Sequence, residues 1–175
     1  MIPRVLRLGF LVGAAAWLAE RNLEMAALGR APSPVRTSVV VHAPIDRTWS
    51  EVADIPGQTR WMRDMKRVTV DTPGPVGVGT KGTALVRILG VATDDPVTIT
   101  EFEPPRRFGL RHEGRFAGAG LITLEPSDDG AATTITWEET IIPPVFPRLG
   151  SLALRPILRR VFQADLERLR AIVEG

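Results

Sequence analysis

The stretch Phe146–Gly175, FPRLGSLALRPILRRVFQADLERLRAIVEG, decides the fold. After Pro156 its apolar residues recur at every third or fourth position and the charged residues fall mostly between them. This pattern predicts an amphipathic helix with one wide apolar face. Pro143, Pro144 and Pro147 precede the helix and favour an extended approach that ends in a sharp turn. A helix that is so apolar on one side needs a large surface to pack against, and the preceding chain predicts a sheet.

Composition and charge narrow the class of protein. The 175 residues suffice for one domain with an appendage, and the apolar content is that of a globular protein. Cysteine is absent, which excludes disulfides, thiolate nucleophiles and cysteine-based zinc sites. Up to Arg36 the chain has five basic and two acidic residues, a net charge of +3, and the remainder carries a net charge of −1. Because this larger part is nearly neutral, a nucleic-acid-binding domain is not expected.

Residues 1–35 are interpreted as an N-terminal arm, an apolar helix followed by a proline-containing linker, ahead of a ligand-binding domain over residues 36–175. The run Leu8–Ala19 is apolar and free of charge, and helical propensity extends to Leu28 before Gly29 and two prolines end it. The apolar run is shorter than the stretch of about 20 residues that crosses a bilayer as a helix.

Three roles of the arm stay open. It is an interfacial membrane anchor whose arginines face anionic lipid, a cleaved signal segment, or a helix that packs on the protein itself or on a second subunit. The side chains expected to contact a membrane or a partner are Arg4, Arg7, Phe10, Leu11 and Trp17.

The middle of the chain predicts an antiparallel sheet. The first strand leads at Pro44 into a short helix, which Pro56–Gly57 ends. A second short helical or irregular segment follows around Trp61, and Asp94 and Asp95 are interpreted as turn residues. Consecutive strands with short turns favour a meander with one solvated face and one face covered by the C-terminal helix. The predicted strands are Arg36–Ala43, Val68–Asp71, Thr83–Ile88, Val97–Phe102, Arg107–His112, Phe116–Leu124 and Thr133–Ile141.

Several loose motifs follow one another in an order that resembles one protein family. In Val39–Trp49 a strand runs into a helix start that carries Asp and Trp, and Val78–Thr80 resembles a Gly-Thr strand start. Val97–Phe108 resembles the family passage V-x-E-x-x-P-P-x-x-F, and Ala132–Trp137 is similar to its penultimate T-x-V-x-W.

By these motifs the chain resembles the polyketide cyclase/dehydrase and lipid-transport family (SRPBCC), within the START and birch-pollen-allergen-like superfamily. The resemblance covers Arg36 to Glu174. It implies an α+β helix-grip fold, in which a curved antiparallel β-sheet wraps around a long C-terminal helix and two short helices follow the first strand. The arm would add an N-terminal helix to this fold. The resemblance also implies a ligand cavity between the sheet and the C-terminal helix.

Strand periodicity selects the side chains expected to face this cavity. Alternate residues share a face, so His112 is grouped with the apolar Phe108 and Leu110, and Glu139 with Trp137. Polar groups among apolar ones are what a pocket needs to orient a ligand. For His112 the alternative is a solvated strand end beside the next turn. The predicted ligand-binding residues are Leu85, Arg87, Phe108, Leu110, His112, Ile135, Trp137, Glu139, Ile157, Val161 and Phe162.

Three functions are compatible with these observations. The leading hypothesis is binding, with or without transport, of a hydrophobic small molecule or lipid by a cytoplasmic protein, with or without membrane association. The second is an aromatase/cyclase-like enzyme in which His112 acts as acid and base. The third is an interaction module that forms a homodimer through the N-terminal helix. No nucleophile–base pair and no metal motif is recognised. The G-x-G-x-x-G run Gly77–Gly82 precedes a strand rather than a helix, so it is not interpreted as a cofactor motif. A binder is therefore preferred to an enzyme.

Overall fold

A computed structural model describes the backbone of residues 4–88 and 90–175, and the side chains of these residues except 4–8, 10, 88 and 91. Within these residues it confirms the predicted α+β helix-grip fold. The helices are α1 (Arg4–Ala27), α2 (Ile45–Ala53) and α3 (Pro147–Glu174), and a short 3-10 helix spans Pro56–Arg60. The strands are β1 (Val35–Val41), β2 (Met65–Val70), β3 (Lys81–Ile88), β4 (Val91–Glu103), β5 (Arg107–Glu113), β6 (Ala117–Pro126) and β7 (Thr133–Ile142).

The strands form one antiparallel sheet in the order β1-β7-β6-β5-β4-β3-β2. Strands β2 to β7 are a meander of sequential neighbours, and β1 joins its far edge by pairing with β7, where Val39 lies opposite Ile135. Buried and more exposed residues alternate along both β1 and β7, so one face of the sheet is turned toward the core. A register shift between Ile99 and Glu101 interrupts the ladder of β4 with β5, as bulges do where strands bend.

The hydrophobic core lies between this inner face of the sheet and α3. Leu166, Leu169 and Val173 on α3 are almost completely buried in it, which explains the wide apolar face of the helix. Each such leucine contributes roughly 1.5–3 kcal/mol by leaving water. Val52 of α2 and Trp61, which follows the 3-10 helix, complete the core.

Helix α1 packs against the beginning of α3. The carboxylate of Glu20 accepts hydrogen bonds from the backbone N–H groups of Arg148 at 2.7 Å and Leu149 at 2.8 Å. First-turn amides have no acceptor within their own helix, so α1 supplies the cap that α3 lacks locally. Among the described residues, no helix is both long enough and apolar enough to cross a membrane.

Strand β4 is longer than the sequence suggested. It begins at Val91 rather than Val97, and it pairs with the whole of β3. Asp94 lies opposite Leu85 and Asp95 lies opposite Ala84 in this ladder, so the prediction of a turn at the two aspartates is wrong. One aspartate is exposed and the other is buried, as the alternation of a strand requires.

Candidate functional site

A cavity of about 110 Å³ lies between the inner face of the sheet and α3. This is many times the roughly 10–15 Å³ that one water molecule needs. Its apolar walls include Met62, Val86, Phe116, Ile141 and Leu158. A second chamber of about 70 Å³ shares Val86 and several other wall residues with the first, so the two adjoin.

Three ionisable side chains from three strands meet in the wall of the cavity. The Nδ1 atom of His112 on β5 lies 2.6 Å from Oδ2 of Asp95 on β4, and its Nε2 atom lies 2.9 Å from Oε1 of Glu139 on β7. The indole N–H of Trp137 donates to the other oxygen of Glu139 at 2.9 Å. Asp95 and Glu139 are 7% and 4% exposed, and the side chain of His112 is 16% exposed, so the carboxylates are buried and the imidazole is mostly shielded from solvent. The alternative of a solvated His112 is therefore wrong.

Two glycines make room for the carboxylates of the cluster. Strand β6 lies between β5 and β7, and its Gly120 pairs with Glu139. A Cβ atom on Gly120 would lie 2.4 Å from Oε2 of Glu139, so the missing side chain lets the carboxylate lie over β6 on its way to His112. A Cβ atom on Gly114 would lie 2.6 Å from Oδ1 of Asp95. Any larger residue at either position would displace a carboxylate.

The cluster holds His112 as a cation. Burial lowers the pKa of His112, but the hydrogen bonds to Asp95 and Glu139 and their negative charges outweigh it and raise this pKa to about 10. Both ring nitrogens then carry protons, and each proton is directed at a carboxylate. At neutral pH the imidazole therefore has no free lone pair with which to accept a proton from a bound molecule.

The cluster does not have the geometry of a metal site. Asp95 and Glu139 approach opposite nitrogens of the His112 ring, so their oxygens do not converge on one point. In the part of the chain that the structure describes, no group of three His, Asp or Glu side chains is placed to hold a metal ion.

Most of the predicted site residues lie together around the two chambers. His112, Trp137, Glu139, Val161 and Phe162 line the larger chamber. The smaller chamber is lined by Phe108, Leu110 and again by His112. Ile135 is fully buried in the hydrophobic core.

Three predicted residues face away from the cavity. On β3 it is Ala84 and Val86 that point inward, so Leu85 and Arg87 lie on the opposite face, where Arg87 is exposed and donates to the carbonyl of Gly90. On α3, Ile157 is 42% exposed. The prediction that these three side chains face the cavity is wrong.

Sequence reasoning missed several residues of the cavity wall, and two of them, Asp95 and Leu158, carry a signal in the sequence. Asp95 has the composition of a turn residue, but it stands two positions before Val97 and four before Ile99, at the spacing that places all three on one strand face. Leu158, the neighbour of Ile157, is 7% exposed and lines the cavity. The sequence signals were therefore present in both cases, as strand alternation for Asp95 and helical periodicity for Leu158.

The predicted contact residues of the arm are only partly described. The side chains of Arg4, Arg7 and Phe10 lie outside the described residues. Leu11 and Trp17 are 63% and 53% exposed. Both side chains are therefore solvent-exposed on the surface of α1.

Residues 34–174 match the family described as polyketide cyclase / dehydrase and lipid transport. No sequence among the curated proteins matches the chain.

Solved structures share the fold. The Zhui aromatase/cyclase from Streptomyces sp. R1128 is 17% identical, with a TM-score of 0.67 over 81% of this chain and 93% of that chain. A protein from Thermus thermophilus is 18% identical, with a TM-score of 0.64 over 80% of this chain and 96% of that chain. The di-domain ARO/CYC protein BexL of the BE-7585A biosynthetic pathway is 17% identical, with a TM-score of 0.64 over 81% of this chain and 46% of that chain. At such identities the likeness is one of fold.

Proposed function

Because the chain belongs to the polyketide cyclase / dehydrase and lipid transport family, we propose that it binds a hydrophobic small molecule or lipid in the cavity between its sheet and α3. The observation that carries this proposal is the chemistry of the cavity wall, which is largely apolar and includes the buried cluster around His112. An apolar wall provides affinity, and a few fixed polar groups select the orientation of a ligand. A purely structural core would gain more stability by closing such a cavity.

A cavity-filling substitution with a matched control tests this proposal. The uncharged fluorescent probe N-phenyl-1-naphthylamine, which emits strongly in apolar surroundings, is titrated with the full-length protein. Val161→Phe adds volume to the wall of the cavity, whereas Ile157→Phe adds the same ring on the exposed side of the same helix. We expect at least about tenfold weaker binding for Val161→Phe, a loss of about 1.4 kcal/mol, and wild-type binding for Ile157→Phe. Absence of probe binding to the wild type, or equal effects of the two substitutions, would refute the proposal.

The hydrogen bonds of His112 favour a binder over a cyclase. A general base needs an unprotonated nitrogen within reach of the substrate, and both nitrogens of His112 are bonded to carboxylates. The cyclase alternative is supported by the fold shared with the Zhui aromatase/cyclase. The His112→Ala variant separates the two hypotheses. If the protein is a cyclase, this variant should still bind the ligand but should no longer transform it. A recovered ligand that the wild type alters chemically, and that His112→Ala returns unchanged, would establish the enzyme.

A second proposal concerns α1, whose outer side carries an apolar stripe. Leu11, Leu18 and Met25 are each more than half exposed and stand seven residues apart, so they form one stripe along the helix. The guanidinium of Arg21 lies 5.4 Å from the centre of the Trp17 ring. An apolar stripe beside a cation suits the surface of an anionic bilayer, so the arm would hold the cavity near a membrane that supplies the ligand.

Vesicle flotation separates this role from dimerisation. The full-length protein should float with phosphatidylglycerol vesicles and remain free with phosphatidylcholine vesicles, and Leu18→Glu should abolish flotation. If Leu18→Glu instead converts a dimer into a monomer in sedimentation experiments and flotation is absent throughout, α1 is a dimerisation helix.

A further inference from the structure

Resting on the proposed function, we infer that the cavity selects apolar ligands that carry a hydrogen-bond donor, an alcohol or an ammonium group, over carboxylates of the same skeleton. The inference stands on the charge of the cavity wall and on one buried oxygen without a partner. Both features concern the same cluster, yet they are separate observations.

The buried cluster carries a net negative charge. Asp95 and Glu139 contribute two negative charges and His112 contributes one positive charge, which leaves −1 in the wall of the cavity. A charge removed from water is costly unless it is paired and hydrogen-bonded. The excess charge of the cluster therefore carries an electrostatic cost, which a bound cation or donor would reduce.

The remaining charged residues of the cavity do not cancel this negative charge. Asp165 and the guanidinium of Arg168 form an ion pair whose net charge is zero. Asp64 and Arg115 also line the cavity and are opposite in sign, so together they add nothing to the net charge. Arg115 is exposed, as is Lys81 at the smaller chamber, so both charges are largely solvated, whereas the cluster is not.

One oxygen of the cluster lacks a partner. All the other polar atoms of the cluster side chains take part in hydrogen bonds: both nitrogens of His112, both oxygens of Glu139 and Oδ2 of Asp95. Oδ1 of Asp95 is buried and has no hydrogen-bond partner among the described residues. Asp95 lines both chambers, and its Oδ1 lies on the side of Gly114, where a Cβ atom would come within 2.6 Å of it.

These two observations define the chemistry of the ligand. A carboxylate oxygen accepts hydrogen bonds and donates none, and a buried acceptor without a partner costs about 1–3 kcal/mol. A ligand hydroxyl or ammonium group that reaches Asp95 satisfies the acceptor, and an ammonium group also balances the charge. A ligand carboxylate would bring a second acceptor and a like charge to the same wall.

Three compounds with one skeleton test the inference. Calorimetry at pH 7 compares 2-naphthylmethylamine, 2-naphthalenemethanol and 2-naphthoate as ligands of the full-length protein. We expect the amine and the alcohol each to bind at least about tenfold more tightly than the carboxylate, a difference of about 1.4 kcal/mol. Asp95→Asn should reduce the preference for the amine over the carboxylate by at least about threefold. Asp94→Asn, which removes the same charge one residue away on the exposed face of β4, should leave it unchanged.

The outcomes distinguish this inference from the proposed function. Equal binding of the three compounds, or tightest binding of the carboxylate, would overturn the inference while the cavity remains a binding site. Binding of N-phenyl-1-naphthylamine without binding of the amine or the alcohol would do the same. If neither this probe nor any of the three compounds binds, the proposed function itself fails. Should Asp95→Asn not fold, the ranking of the three compounds on the wild type decides the matter alone.

Discussion

The stability of the protein is expected to fall as the pH rises above neutrality, because His112 keeps its proton in the folded state and loses it in the unfolded chain. The hydrogen bonds to Asp95 and Glu139 outweigh burial and raise the pKa of His112 to about 10 in the fold. An unfolded histidine titrates near pH 6.5. Since the folded pKa is the higher one, the stabilisation is complete below about pH 6.5 and is lost as the pH rises through about 10.

The magnitude follows from the number of protons involved. Between the two pKa values the folded state binds one proton more than the unfolded state. The free energy of unfolding then falls by about 1.4 kcal/mol per pH unit. From pH 7 to pH 9 the expected loss is about 3 kcal/mol, a large part of the 5–15 kcal/mol that is typical of a folded domain.

Urea denaturation at several pH values between 6.5 and 9.5, followed by tryptophan fluorescence, measures this slope. His112→Gln should remove most of the slope and should also lower stability at pH 7, because it leaves two buried carboxylates without their cation. His42→Gln is the matched control, since the side chain of His42 is exposed, and it should keep the wild-type slope. A wild-type stability that does not change between pH 7 and 9, or a His112→Gln slope equal to that of the wild type, would refute the reasoning.

Further predictions concern packing around the site. Gly120→Ala should lower the free energy of unfolding by about 1–3 kcal/mol, because its Cβ atom would collide with Glu139. Gly77→Ala is the control, since its Cβ atom would meet no atom within 4 Å, and it should be close to neutral when both variants are compared by thermal unfolding. Glu20→Gln should lower the free energy of unfolding by about 1 kcal/mol. It should also speed hydrogen exchange of the first-turn amides of α3, because they lose their charged acceptor. Unchanged exchange would contradict the role of Glu20 as a cap. Leu158→Ala should lower the free energy of unfolding by about 2 kcal/mol or more, and Ile157→Ala should lower it by less than about 1 kcal/mol. A reversed order in denaturation experiments would contradict the observed orientation of α3.

The fold could be predicted from the sequence because its decisive signals are local. Helix α3 is indicated by apolar residues spaced along one face, and most strands alternate clearly between turns. The sequence places the beginning of β4 too late, because the pair Asp94–Asp95 has the composition of a turn. The alternation of Asp95, Val97 and Ile99 marks the strand locally, but its full extent is fixed by pairing with β3, which is a contact between segments.

The site could be predicted only in part, because its geometry depends on several elements at once. The contact of His112 with Glu139 spans β6 and requires a glycine at position 120, so three strands must be in register before it exists. On β3 both faces carry apolar side chains, and pairing with β4 selects Val86 over Leu85 as the inward residue. The apolar face of α3 is wide enough to include both Ile157 and Leu158, and the position of the sheet decides which of them is buried.

The central claim is that the cavity between the sheet and α3 holds a hydrophobic ligand. It is tested most directly by mass spectrometry of the full-length protein, purified without detergent and measured first under native and then under denaturing conditions. We expect a reproducible additional mass in the native spectrum, which denaturation releases. This mass should be absent from Val161→Phe and present in Ile157→Phe. A mass that persists equally in both variants would place the ligand outside the cavity and contradict the account.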